Sequence, residues 1–459
     1  MKPILLSQVA QWTGGRLLGE DLLVDTLATD TRTLAADAGP ASLFVALKGE
    51  RFDGHAHVAD AAAAGVSAAL VARQIDVRLP QVVVADTERA LAAFAAAVQA
   101  SRAGKVVAIT GSNGKTSVKT LLLGILQRTG SAYANPGNRN NEIGLPMAVI
   151  DAPDDADFFI YEMGAGKPGD IAYLTAIARP DIALVNNVAP AHLERMGSLL
   201  GIADTKGAIY DALSAGGVAV INADDAFAPY FAERAHGRRL IRFGLEATAD
   251  VSARDLVADS DGTRFKLVTP DGDIDVVLSL PGRHNVLNAL AAAAMALGAG
   301  ASLQAIGDGL AAARAVAGRL VTHHLPGGAI LIDDSYNANP GSLNAAIDTL
   351  ASAGGESWLV LGDMRELGDD ARALHAEAGR RARAAGIARL FTLGSLSAAA
   401  AETFGPGATH FDTHAALASA LAAELRSDVR VLVKGSRGSA MDKVVQALLP
   451  AAGDTTHAA

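Results

Sequence analysis

The chain has 459 residues, half of them hydrophobic, and a net charge of -10; that length is too great for one core and suits two to four domains. An acidic balance with no run of Lys or Arg argues against a nucleic-acid surface and against binding to anionic lipid, which leaves small molecules as the expected partners. No cysteine is present, so disulfides, thiolate metal sites and a cysteine nucleophile are excluded together.

The opening MKPILLSQVAQW has no long apolar segment and no small-residue cleavage pattern, so it predicts no signal peptide. The longest uncharged apolar stretch, ALAAAAMALGAGA from Ala289, is too short for a bilayer that needs about 20 residues. The expectation is a monomeric cytoplasmic protein with no membrane insertion.

The first 85 residues carry the apolar runs LFVAL (43–47), AALVA (68–72) and VVVA (82–85), with an alanine-rich helical segment from Asp60 and turn residues between. They predict a small α/β unit. The helical pattern TERALAAFAAAVQASR then leads into KVVAIT, DFFIYEM (157–163), DIALVNNV (181–188) and GVAVINAD (217–224), each followed by a helical pattern. Strand-then-helix order predicts a mainly parallel sheet covered on both faces, with ligands at the carboxyl ends of its strands. Residues 250 to 280 change character, with FKLVTP-DGD-IDVVLSL reading as a β-hairpin around Asp271 and Gly272, followed by the helix NVLNALAAAAMALG. After Gly318 a second alternation begins: AILIDDS (329–335), SWLVLGDM (357–364), RLFTLGS (389–395) and VRVLVKGS (429–436). The fold expected is α/β in three domains: a small N-terminal α/β domain (1–85), a central P-loop domain with a mainly parallel sheet (86–317), and a C-terminal Rossmann-like α/β domain (318–449). Residues 450–459 are expected to be a disordered tail.

Residues 110 to 116 read TGSNGKT, directly after VVAI and directly before the helical pattern SVKTLLLGIL. A glycine-rich turn between strand and helix points backbone N–H groups and the positive helix end at one spot, which binds phosphate. Gly111, Ser112, Asn113, Gly114, Lys115, Thr116 and Ser117 are therefore assigned to ATP, with Lys115 facing the β and γ phosphates and the Thr116 hydroxyl on Mg²⁺. The loop is shorter than usual: the position of the usual first glycine is Ile109, and Gly111 and Gly114 stand three apart.

Two further residues sit just past strands of the same region. Glu162 ends DFFIYEM, where an acidic residue commonly reaches the nucleotide's metal; His192 follows DIALVNNV in the turn PAHLERMGS. The segment NPGNRNNEIGLP offers Asn135, Asn138, Asn140 and Asn141. Amides both donate and accept, so this loop suits a polar substrate; the same residues also suit plain turns. Lys206, in a helical pattern, reads on its own as a solvated charge.

The ordered set TGSNGKT, GNRNNEIGLP, YEMGA, NNVAPAHLERMGS, DTKGAIY, GRHNVLNALAAAAM, DDSYNANPGS, LGDMRELG and LVKGSRG resembles the Mur ligase family across residues 1 to 449. Within the family it is most similar to the enzymes that add D-alanyl-D-alanine to UDP-N-acetylmuramoyl-tripeptide. The resemblance implies a first domain for the UDP end, in which TDTR (29–32) and LFVALKGERFDGH (43–55) supply Asp30, Arg32, Lys48, Phe52 and His55. It assigns Asn138, Asn140 and Asn141 to the muramoyl portion, and His284, Asn285 and Asn288 to the nucleotide. Arg319, Asp334, Tyr336 and Asn337 are residues that the third domain would bring to ATP.

It also implies that Lys206 carries a carbamate (N6-carboxylysine), which would share a second Mg²⁺ with Glu162 and His192. Lys115, Glu162, His192 and Lys206 are then the catalytic set, and Thr116, Glu162, His192 and Lys206 the metal set. Two departures from the family pattern stand out: the usual KGE is Lys206, Gly207, Ala208, and Arg139 stands where an apolar residue is usual. The implied reaction is ATP-driven amide formation through an acyl phosphate, a step in building the peptidoglycan precursor. A rival in the same family, the ligase that adds the third amino acid, typically carries a DNPR-type motif that is not found here. A regulatory P-loop ATPase is a rival of another class.

Overall fold

The run KVVAIT forms the strand Lys105–Thr110, whose residues after Lys105 are all buried. Alternate side chains enter opposite cores: Val107 and Ile109 pack with Val118 and Leu122, whereas Val106 and Ala108 share a cluster with Ile202 and Tyr210. This two-sided burial is why such strands read as continuous apolar runs. The strand is central in a six-stranded parallel sheet, between Ile182–Val185 and Phe158–Glu162, with Val218–Asn222, Arg239–Phe243 and Ala132–Ala134 completing the order. The computed structural model describes residues 1–34, 41–49, 52–190, 193–258 and 262–450.

The first 85 residues contribute a five-stranded sheet in the order Arg16–Leu18, Gln81–Val83, Ala68–Val71, Ser42–Val45, Thr26–Ala28. Only the pairing of Arg16–Leu18 with Gln81–Val83 in it is antiparallel. The helix Thr87–Ala100 follows, its N-terminus capped by Asp86. It ties the first region to the second: one buried cluster runs from Leu6 and Val9 through Leu91, Phe94 and Val98 to Val106, Leu145 and Leu174.

The expected hairpin is present as Thr263–Thr269 against Gly272–Leu278, and Ser252–Ala258 adds a third antiparallel strand. Beyond residue 318 a second six-stranded sheet forms, parallel except for its edge strand Val321–His324. The protein is thus mixed α/β with predominantly parallel sheets. No helix among the described residues is long and apolar enough to cross a membrane. Residues 451–459, the bulk of the expected disordered tail, lie outside the described residues.

The helix Arg283–Ala299 explains the alanine run. Ala289 and Ala291 through Ala294 are fully buried, and the helix packs in one cluster with both the P-loop helix Lys115–Leu126 and the sheet. Small side chains on every face allow that close approach. Ala292→Leu is expected to overpack this contact and lower stability by about 1–3 kcal/mol. An unchanged urea unfolding midpoint would contradict the close packing.

Candidate active site

Three strand ends lie side by side at the carboxyl edge of the central sheet, because Glu162 pairs with Ile109 and Val185 with Thr110 in register. The loop after Thr110, the carboxylate of Glu162 and the pair Asn186–Asn187 are therefore neighbours by construction.

The loop is stretched over the asparagine pair. Asn113 donates its backbone N–H to Asn187 Oδ1 at 2.8 Å, and its carbonyl accepts from Asn186 Nδ2 at 3.0 Å and Asn187 Nδ2 at 3.2 Å. Ser112 N–H donates to the Asn187 carbonyl at 3.0 Å. Gly114 is left-handed, with φ of 78°, and a Cβ there would stand 2.4 Å from Asn288 Oδ1 and 2.5 Å from Asn186 Nδ2. Glycine is required at that position both for its backbone angle and for space. The turn delivers Lys115 to the first position of its helix, where Nζ donates to the Gly111 carbonyl at 2.7 Å. Burial, reinforced by Arg319 and opposed by Glu162, holds the Lys115 ammonium below its usual range.

Glu162 is 3 % exposed. Its Oε2 accepts from Thr116 Oγ1 at 2.9 Å, and its Oε1 from Asn140 Nδ2 at 2.9 Å. Lys119 Nζ stands 3.2 Å from Oε2. Burial pushes this carboxyl upward, but Lys119, Lys115 and the bonds from Thr116 and Asn140 outweigh it and hold it below the usual carboxylate range. Glu162 is therefore ionised at neutral pH.

Lys206 departs from the solvated charge that its helical pattern alone suggests. It is 2 % exposed, and its Nζ has the Gly111 carbonyl at 3.3 Å. Burial, and then the nearby Lys115, lower its ammonium well below the usual range, with Asp170 acting weakly the other way. The neighbouring Gly207 leaves room for Arg234 and Phe231, whose side chains would lie within 3.1 to 3.3 Å of a Cβ.

The C-terminal region lies over the same place. Arg319 donates to Thr116 Oγ1 at 2.9 Å, and Asn339 Nδ2 to Asn113 Oδ1 at 2.7 Å. The Arg319 guanidinium also covers the Tyr336 ring at 4.5 Å, a cation–π contact. Asp334 and Lys434 are register partners on adjacent parallel strands, and they form a buried ion pair. Burial, outweighing Lys434, still leaves the Asp334 carboxyl raised. Burial, and then Lys434, lower His284 to about 4, so its ring is neutral at neutral pH.

A cavity of about 690 Å³ collects these groups. Every residue assigned to the nucleotide lines it, from Gly111 through Ser117 to His284, Asn285, Asn288, Arg319, Asp334, Tyr336 and Asn337. So do Asn138, Asn140, Asn141, Glu162 and Lys206. His192 lies outside the described residues. Asp30, Arg32, Lys48, Phe52 and His55 line no part of this cavity and remain on the first sheet's unit. There Asp30 caps the turn Thr31–Thr33 and chelates the exposed Arg32 guanidinium, whose hydrogen bonds lower the Asp30 carboxyl to about 2. Phe52 is 56 % exposed, and Lys48 bridges to Asp53 through its backbone. His55 is buried with both ring nitrogens engaged, Nδ1 with Asp53 at 2.5 Å and Nε2 accepting from Ala72 N–H at 2.8 Å.

The sequence matches the Mur ligase middle domain over residues 109–296 and the Mur ligase, glutamate ligase domain over residues 318–437. It is 44 % identical to the UDP-N-acetylmuramoyl-tripeptide--D-alanyl-D-alanine ligase of Escherichia coli strain K12, over 98 % of this chain and 99 % of that one. The chain belongs to the Mur ligase family. The fold agrees with MurF from Acinetobacter baumannii at a TM-score of 0.92 and 34 % identity, covering 98 % of this chain and 99 % of that one. It also agrees with MurF from Thermotoga maritima in complex with ADP, at 0.84 and 27 %, covering 93 % and 97 %.

In the asparagine loop two side chains make turn contacts. Asn135 and Asn141 serve the turn: Asn135 Nδ2 donates to the Arg139 and Glu162 carbonyls, and Asn141 Oδ1 accepts from Gly144 N–H. Asn140 instead donates to the Glu162 carboxylate. The atypical Arg139 forms an exposed pair with Asp151. Sequence reasoning did not single out Asn186, Asn187, Lys119 or Lys434. The asparagine pair directly after a buried strand, and a lysine inside an apolar helical stripe, were the available signals. Gly114→Ala is expected to weaken ADP binding at least tenfold by isothermal titration, because its Cβ collides with Asn186 and Asn288. Unchanged affinity would remove the glycine's proposed steric role.

Proposed function

We propose that this chain joins D-alanyl-D-alanine to the terminal carboxylate of UDP-N-acetylmuramoyl-tripeptide, driven by ATP, to give the UDP-linked pentapeptide precursor of peptidoglycan. The observation that carries this reading is a cavity in which a P-loop, a buried ionised carboxylate and an amide-rich loop face one another, in a chain matched along its length by ligases of that activity. The division into residues 1–85, 86–317 and 318–449 is part of the proposal. The first segment takes the UDP end through the groups around Asp30 and Phe52, the second takes ATP, and the third covers the reacting atoms.

The chemistry must bring a carboxylate onto the γ-phosphorus, two groups of like charge. Lys115 and Arg319 supply fixed positive charge where they converge, and the backbone N–H groups of the loop hold the phosphates. The substrate carboxylate displaces ADP and forms an acyl phosphate. The amine of D-alanyl-D-alanine then adds to the carbonyl carbon, and inorganic phosphate leaves with the former carboxylate oxygen. The third segment, latched by the Arg319 and Asn339 contacts, keeps water from the acyl phosphate.

Mg²⁺ fits the residues present. Thr116 Oγ1 and Glu162 Oε2 are hard oxygen donors 2.9 Å apart, and no group of three or more acidic or histidine side chains among the described residues could hold an ion alone. That is the donor set of an ion completed by phosphate oxygens and water. When bound, the metal neutralises charge on the transferring phosphoryl group.

Lys206 fits a carbamate. Burial lowers the Lys206 ammonium well below its usual range, which favours the nucleophilic amine, and addition of that amine to CO₂ with loss of one proton gives an anion that Lys115 attracts. His192 would be a further ligand to a second metal, shared with that carbamate and Glu162. Ala208, in place of the usual glutamate, leaves the lysine without that local carboxylate.

Incubation with ATP, Mg²⁺, D-alanyl-D-alanine and UDP-tripeptides bearing either diaminopimelate or lysine should yield a pentapeptide by mass with at least one of them. ADP release that ignores both substrates would point to a regulatory ATPase instead. Lys206→Ala should be nearly inactive and partly rescued by short carboxylic acids, and Lys206→Arg should not work, since arginine keeps its charge and repels the metal. An active arginine variant would eliminate the carbamate.

A further inference from the structure

Lys119 is one turn beyond Lys115 on the P-loop helix and is 5 % exposed. It does not line the cavity. Its ammonium has three oxygens around it: the Asn135 carbonyl at 2.9 Å, the Gly137 carbonyl at 3.0 Å and Glu162 Oε2 at 3.2 Å. Two belong to the loop that presents Asn138, Asn140 and Asn141, and the third is the carboxylate oxygen that also accepts from Thr116. The same loop returns to Glu162 three times more, through Asn140 Nδ2 to Oε1 at 2.9 Å, through Asn135 Nδ2 to the Glu162 carbonyl at 3.1 Å and through Glu162 N–H to Asn135 Oδ1 at 2.8 Å.

We propose that Lys119 is a positioning residue that joins the substrate loop to the metal-side carboxylate, shaping the loop for the acceptor while restraining the affinity of Glu162 for divalent cation. The proposal rests on the metal and acceptor reading given above. The two effects have opposite signs. A fixed cation 3.2 Å from Glu162 Oε2 repels a dication held by the same carboxylate, so removing the charge strengthens cation binding. Removing the three donors frees the two loop carbonyls from their shared partner, so acceptor binding weakens. General loosening of the site would weaken both.

Lys119→Met keeps the apolar stem and removes the charge and the donors. Its test is the affinity of the ADP-saturated protein for Mn²⁺, read from the free-ion electron paramagnetic resonance signal after subtracting the ADP–Mn²⁺ contribution, alongside the KM for UDP-tripeptide. The expected result is at least a threefold fall in the Mn²⁺ dissociation constant together with at least a tenfold rise in that KM. Lys119→Arg keeps the charge in a different shape; it should hold the Mn²⁺ constant within about twofold of the parent and still raise the KM. Should the methionine variant fail to fold, the arginine variant decides alone, and a weakened Mn²⁺ affinity in it overturns the proposal. Unchanged or weaker Mn²⁺ binding in a folded Lys119→Met overturns it as well. Glu162→Gln separates the two levels: if it binds Mn²⁺ as the parent does, the metal reading fails and the role of Lys119 falls with it.

Discussion

The buried carboxylate of Glu162 is the constraint around which the site is arranged. Desolvation alone would drive it to the neutral acid, and it stays ionised because Lys119 and Lys115 face it and Thr116 and Asn140 donate to it. Each partner comes from a segment with a role of its own, Thr116 and Lys115 from the P-loop, Lys119 from the helix behind it, Asn140 from the polar loop. Keeping one charge buried therefore fixes the P-loop and the polar loop relative to each other. Removing one member of such a buried pair costs about 3–5 kcal/mol in general, which is the scale on which this geometry is enforced.

The second constraint is steric. Gly114 passes so close to Asn186 and Asn288 that no side chain fits, and the two asparagines come from a strand end and from the alanine-rich helix. The close packing of that helix thus reaches the phosphate loop through one amide contact, Asn186 Nδ2 to Asn288 Oδ1 at 3.1 Å. The C-terminal sheet adds its part from above. Its strand register places Asp334 beside Lys434, whose ammonium also donates to the Asn337 carbonyl, and the loop so formed leads to Asn339 over Asn113.

Much of this was legible in the sequence because parallel strands buried on both faces leave long apolar runs, and because glycine-rich turns after such runs have one common use. The strands of the central and C-terminal regions, the P-loop and Glu162 at a strand end all follow from that. What the sequence conceals is partnership at long range. Arg319 and Thr116 meet across 203 positions, and no local pattern names that pair. Lys206 looks like a surface charge because helical periodicity does not show which face will be covered; its burial is set by elements folded far along the chain. His55 shows the reverse, a motif residue whose ring is fully occupied inside its own unit by Asp53 and Ala72.

The central claim is that the cavity activates a carboxylate by phosphoryl transfer, and the fate of one oxygen tests it. A UDP-tripeptide labelled with ¹⁸O in its terminal carboxylate, supplied with ATP and D-alanyl-D-alanine, should transfer one labelled oxygen to the inorganic phosphate released and retain the other in the new amide. Release of unlabelled phosphate during amide formation would contradict the acyl phosphate and the account built on it.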